Sequence, residues 1–137
     1  MNAECMLDTN VLVYAVDESP AHTKKHNVAK AMLTSLDFGL SAQVLQEFYV
    51  TVTKKIEKPI SPERSLAIME RLEFFPLVPT TFGLVVEGVR NSVKFQVSYW
   101  DGAVLAAAGR LGVGTLYSED LSDGQMYGGV KVVNPFK

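Results

Sequence analysis

The chain has one cysteine, Cys5, and so no internal disulfide. Its place in a short apolar stretch points to a buried thiol and a reducing compartment. No apolar run reaches the roughly 18 residues needed to span a bilayer. Arg110 and several glycines interrupt the best candidate, Ala103 to Leu116. The amino terminus lacks the basic, apolar and small-residue order of a signal peptide, so a cytoplasmic protein with no membrane contact is expected. An excess of either charge is also lacking. A formal net charge of -2 excludes binding to nucleic acid by bulk positive charge and leaves only a local basic surface for that role. Histidine is limited to His22 and His26, both expected on the surface side of a helix. Internal repeats, low-complexity segments and linkers are missing as well. With 137 residues, 47% of them hydrophobic and 20% charged, one folded domain, 1–137, is expected.

What is present alternates between short apolar stretches and longer segments of helical period. Cys5-Met6-Leu7 reads as a buried strand that delivers Asp8 to its carboxyl end, and Thr9-Asn10 opens a helix to about Val16. Helices are predicted over about Ala21–Leu36, Ala42–Ile56, Pro62–Leu72, Phe82–Val93 and Tyr99–Leu111. Ser41, Ser61, Thr80-Thr81 and Ser98 stand where caps belong, and Gly112 supplies a left-handed stop. In the fourth helix Leu66, Met69 and Leu72 are expected inward. Further strands are predicted at Phe38–Ser41, Phe75–Pro79, Gly114–Ser118 and Val130–Val133, the two prolines of the second of these suiting an edge. Strands alternating with helices imply a mostly parallel sheet covered on both faces.

In such a sheet the carboxyl ends of the strands share one rim, where ligands bind. Asp8 ends the first strand and Asp120 follows another, in the loop Glu119 to Gly124. Glu47 and Asp101, each near the start of a helix, can reach the same rim. Four carboxylates in one cleft repel one another unless a cation neutralises them, and all-oxygen donors select a hard ion such as Mg2+ or Mn2+. Each acid also has an ordinary use. Asp8 can simply cap a helix, Glu47 can be solvated, Asp101 can complete a cap with Ser98, and Asp120 or Asp123 can brace a turn. The coincidence of all four at matching elements favours a shared site.

Asp8-Thr9-Asn10 after a strand, Glu47 after Ser41, Tyr99-Trp100-Asp101 opening an alanine-rich helix, and Ser118-Glu119-Asp120-Leu121 together resemble the PIN-domain ribonucleases. The similarity is greatest to the VapC-type toxins of toxin-antitoxin pairs, including the tail from Gly124-Gln125 to Val132-Val133-Asn134-Pro135-Phe136. The resemblance implies a PIN-like, Rossmann-like three-layer α/β domain and a Mg2+- or Mn2+-dependent endoribonuclease restrained by a small antitoxin protein. A homodimer is implied too. Position by position, Asp8, Glu47 and Asp101 match the core acids, Asp120 or its alternative Asp123 matches the fourth, and Thr9, Asn10 and Ser118 match the polar residues around them. Asp8, Asp101 and Asp120 are the implied metal ligands. A covalent aspartyl nucleophile is a poor alternative, because Asn10 stands where a second Asp would be needed.

Lysines at positions 24, 25, 30, 54, 55 and 58 read mostly as solvated faces, and Trp100 as packed against the sheet. A non-catalytic PIN-like module that holds RNA or a protein is the rival reading.

Overall fold

A computed structural model describes residues 2–137. Its strands are β1 (Cys5–Leu7), β2 (Phe38–Ser41), β3 (Leu77–Val78), β4 (Thr115–Tyr117), β5 (Met126–Tyr127) and β6 (Val130–Val133). They lie in the order β3-β2-β1-β4-β6-β5, all parallel except β5, which pairs antiparallel with β6. The central strand β1 is buried at all three positions, as a strand covered on both faces must be. Met6 pairs with Gly39 on one side and with Leu116 on the other, which aligns the carboxyl ends of β1, β2 and β4.

The helices are α1 (Thr9–Val16), α2 (Thr23–Ser35), α3 (Ala42–Lys54), α4 (Pro62–Arg71), α5 (Phe82–Phe95) and α6 (Tyr99–Leu111), with a 3-10 turn at Pro20–His22 before α2. Serine and threonine side chains cap four of them: Ser41, Ser61, Thr81 and Ser98 accept from backbone N–H groups three residues on. α1 packs on α2 and α3, α3 on α4, and α6 lies across β1, β2, β3, β4 and β6 with α5 against it. The core is the run of buried side chains between these layers, among them Met6, Leu7, Leu12, Phe38, Leu40, Phe48 and Leu116. The expected mostly parallel sheet flanked by helices is thus the observed one, Cys5 is buried, and β3 is an edge strand as its flanking prolines required.

Three readings are corrected. Leu66 is 55% exposed, and Ser65 is the buried residue of α4, because α3 approaches from the side of the helix that carries the serine. Trp100 does not pack against the sheet; it is 63% exposed and meets the Tyr99 ring edge-on, in the first turn of α6. The two histidines are half-buried and engaged: His26 Nδ1 lies 2.9 Å from the Tyr14 carbonyl oxygen, and His22 is held by Asp17. β5 was not foreseen. Among the described residues no helix is long and apolar enough to cross a membrane.

Candidate active site

Asp8 leaves β1 with its backbone N–H bonded to the Tyr117 carbonyl on β4, so the sheet itself fixes the start of α1. Its carboxylate caps that helix through the Thr9 N–H at 2.8 Å and accepts the Ser118 hydroxyl at 2.7 Å. Ser118 Oγ in turn accepts from Asn10 Nδ2 at 3.2 Å and from the Asp120 N–H at 3.1 Å. Asn10 Nδ2 also reaches Asp120 Oδ2 at 3.3 Å, and Asn10 Oδ1 accepts the Glu119 N–H. The segments Asp8 to Asn10 and Ser118 to Asp120, about 110 residues apart in the chain, are therefore one bonded unit.

Glu119 points away from this unit and anchors it. Its carboxylate accepts from Tyr14 OH at 2.8 Å and from Lys25 Nζ at 3.0 Å, and Lys25 also lies over the rings of Tyr14 and Phe136. The tail thus clamps the loop that carries Asp120. Asp123 is turned to the tail as well: it accepts the Asn134 N–H at 2.7 Å and pairs with Lys137, whereas Asp120 faces Asn10.

Glu47 lies on the outward face of α3, where Gln43 Nε2 donates to it at 2.9 Å and also approaches the Trp100 carbonyl at 3.3 Å. Gln43 is buried and so ties α3 to the start of α6. Asp101, in the first turn of α6, is placed by its own N–H on Ser98 Oγ and by the close approach of α5 and α6. Sequence reasoning passed over Gln43 and Tyr14, and its solvated reading of Lys25 is corrected by the ion pair with Glu119. Only Gln43 left a trace, the four-residue spacing to Glu47 on one helix face.

The electrostatics record the crowding. Burial pushes the Asp8 carboxyl up to about 6 against the hydrogen bonds of Ser118 and Thr9, and the charges of Asp120 and Glu47 add to the rise. Burial also raises Asp101, opposed by Ser98 and helped by Asp120. Asp8 thus feels Asp120 and Glu47, and Asp101 feels Asp120, a crowding of like charge that invites a cation. Among the described residues no three acidic, histidine or cysteine side chains close around an ion on their own. Mg2+ and Mn2+ do not demand that, since a hard ion of this kind is held by one or two carboxylates and keeps several waters. Thr9 Oγ1 is buried beside these acids with no hydrogen-bond partner, an orphaned oxygen that such a water would satisfy. The donors fit the ion.

The chain's residues 5–122 match the PIN domain family model. No curated protein sequence matches it. Among solved structures it is similar to a toxin-antitoxin complex from Klebsiella pneumoniae, at 18% identity and a TM-score of 0.70, covering 96% of this chain and 97% of that one. It is similar to the sarcin-ricin loop cleaving toxin VapC20 of Mycobacterium tuberculosis, at 18% identity and 0.68, over 85% and 91%. FitAcB from Neisseria gonorrhoeae follows at 22% identity and 0.61, over 96% and 98%. With the family model spanning most of its length, the chain belongs to the PIN domain family.

Proposed function

We propose that the chain is a divalent-metal-dependent endoribonuclease, the toxin of a toxin-antitoxin pair acting in the cytoplasm. The observation that carries this reading is the hydrogen-bonded unit of Asp8, Asn10, Ser118 and Asp120, with the charge of Glu47 acting on Asp8 and that of Asp120 on Asp101. Asp8, Asp101 and Asp120 would hold Mg2+ or Mn2+, and Asp123, held by the tail, is the weaker candidate for the fourth acid. When bound, the ion supplies Lewis acidity that makes water a nucleophile at neutral pH and offsets charge on the scissile phosphate.

The chain's own residues do the rest. Ser118 and the Thr9 N–H fix both oxygens of Asp8, so the carboxylate does not have to reorganise when a phosphate arrives. Asn10 and Ser118 orient Asp120, and Gln43 holds Glu47 at the open side of the cleft, within reach of a water proton. Burial keeps bulk water from Asp8. The antitoxin partner is supported by the similar structures that are described as toxin-antitoxin complexes. A homodimer is supported by the exposed stripe Phe82, Val85, Val89 and Val93 along α5.

Purified protein should cleave single-stranded RNA with Mg2+ or Mn2+ and stop in excess EDTA, and Asp8→Asn should lose at least about a hundredfold in rate. Undiminished cleavage in EDTA contradicts the mechanism. Expression of the intact chain should arrest growth and sedimentation should give twice the chain mass; harmless expression counts against the toxin part, and a monomer mass against the dimer. Metal binding without any cleavage would favour the rival, a non-catalytic RNA- or protein-binding module.

A further inference from the structure

Two hollows flank Glu47. One, of about 370 Å³, runs from Thr9, Asn10 and Asp120 to His22; the other, of about 290 Å³, runs from Gln43 to Trp100. Glu47, Thr51 and Lys55 line both, so the two are halves of one groove across the outward face of α3. Of the acids of the site, Glu47 and Asp120 line it.

The far end of the first hollow is built. Asp17 is 3% exposed, and its Oδ1 accepts the Ser19 N–H and hydroxyl while its Oδ2 lies 2.8 Å from His22 Nδ1. Burial would raise the Asp17 carboxyl, but the bonds from Ser19 and His22 outweigh it and hold it below its usual range. An ionised carboxylate only accepts, so His22 donates from Nδ1, and in the imidazolium form its Nε2–H is a second donor. The Tyr14 ring meets His22 edge-on and fixes its plane. Ser19 is spent on Asp17 and 2% exposed, so this Asp, His and Ser set is no nucleophile; the ring is a held contact, with 41% of its side chain exposed. Lys55, at the middle of the groove, makes no ion pair among the described residues. At the other end Trp100 lays a bare aromatic surface beside Gln43 and Val50.

An aromatic platform, a central free cation and a fixed imidazole in one groove, with acids between, suit a strand whose bases are unpaired and whose phosphates need counter-charge. A duplex has no free base face to stack. We propose that this groove is the binding track for a single-stranded segment of RNA, with Trp100 stacking a base at one end, Lys55 holding a backbone phosphate at the middle, and the imidazolium form of His22 holding another at the far end. The track rests on the ribonuclease reading for its substrate, and it assigns residues that reading does not use.

Trp100 is the chain's one tryptophan, so it reports its own contact. The test titrates single-stranded and duplex RNA oligonucleotides into cleavage-impaired Asp8→Asn protein and into the same protein carrying Trp100→Ala, Lys55→Gln or His22→Gln. Single-stranded RNA should quench Trp100 fluorescence and duplex should not. Trp100→Ala should weaken binding about tenfold. Lys55→Gln should lower the slope of log affinity against log salt by about 0.7. His22→Gln should weaken binding roughly threefold. The two exposed positions, Trp100 and Lys55, decide the matter if His22→Gln unfolds by freeing Asp17. Unquenched fluorescence with parental affinity in the Trp100 and Lys55 variants overturns the track even where the wild-type chain cleaves RNA. A wild-type chain that neither binds nor cuts RNA overturns the ribonuclease reading as well.

Discussion

Asp8 is a charge held where the fold alone would prefer a neutral group. Its carboxyl is raised from 3.8 to about 6, chiefly by burial. A group whose folded value is raised binds its proton more tightly in the folded state, so its contribution is fully present at low pH and is lost as pH rises through about 6. Roughly two pKa units correspond to about 3 kcal/mol at most. Asp8→Asn keeps an acceptor for the Thr9 N–H, gives up the one that Ser118 uses and removes the buried charge, and should stabilise the chain by about 1–2 kcal/mol at pH 7.5 in chelator. Urea titrations should show that gain vanish near pH 4 and shrink at pH 7.5 when Mn2+ is added, because the ion binds only the native acid. Equal stability of the two proteins at pH 7.5 would mean that the acid is not strained in this way. Asp8 itself was legible from its place after a short apolar strand. Gln43 was not: a glutamine among polar helix residues carries no mark of burial until α6 is seen to cover it.

At the level of elements, α6 shows what local signals reach. Ser98 caps it and Gly112, at φ 73°, ends it, so both ends were written in the residues themselves. Its position was not. A Cβ on Gly102 would lie 2.5 Å from the Gly88 carbonyl oxygen and 2.9 Å from the Ser92 nitrogen, so α5 and α6 meet backbone to backbone there. The left-handed residue Gln96 ends α5 and begins the turn between them, and Asn91 donates to the Gly102 carbonyl. Gly102→Ala should therefore cost about 1–3 kcal/mol, read by urea denaturation, and should lower RNA cleavage by moving the adjacent Asp101. Full stability in that variant would show that the two helices can part freely. The same limit explains Leu66: periodicity gives the apolar stripe of α4 but not which side its neighbour takes. β5 escaped because two residues, Met126 and Tyr127, are too short a stretch to show alternation.

Across the whole molecule, the parallel sheet does what no local stretch can. It brings Asp8 and Ser118 within 2.7 Å of each other across 110 positions, and the tail then locks the result through Phe136, Lys25, Tyr14 and Glu119. Strand and helix alternation foretold that Asp8 and the loop from Ser118 to Asp120 share one rim. Which way each loop acid turns depended on the tail: Asp123 and Asp120 are equivalent in the sequence, and only the bonds to Asn134 and Asn10 separate them. The most direct test is anomalous scattering from a crystal of the protein soaked in Mn2+. An ion resting on Asp8 with Asp101 or Asp120 is the predicted result; an empty cleft at saturating Mn2+, or an ion bound at Asp123 instead, would contradict it.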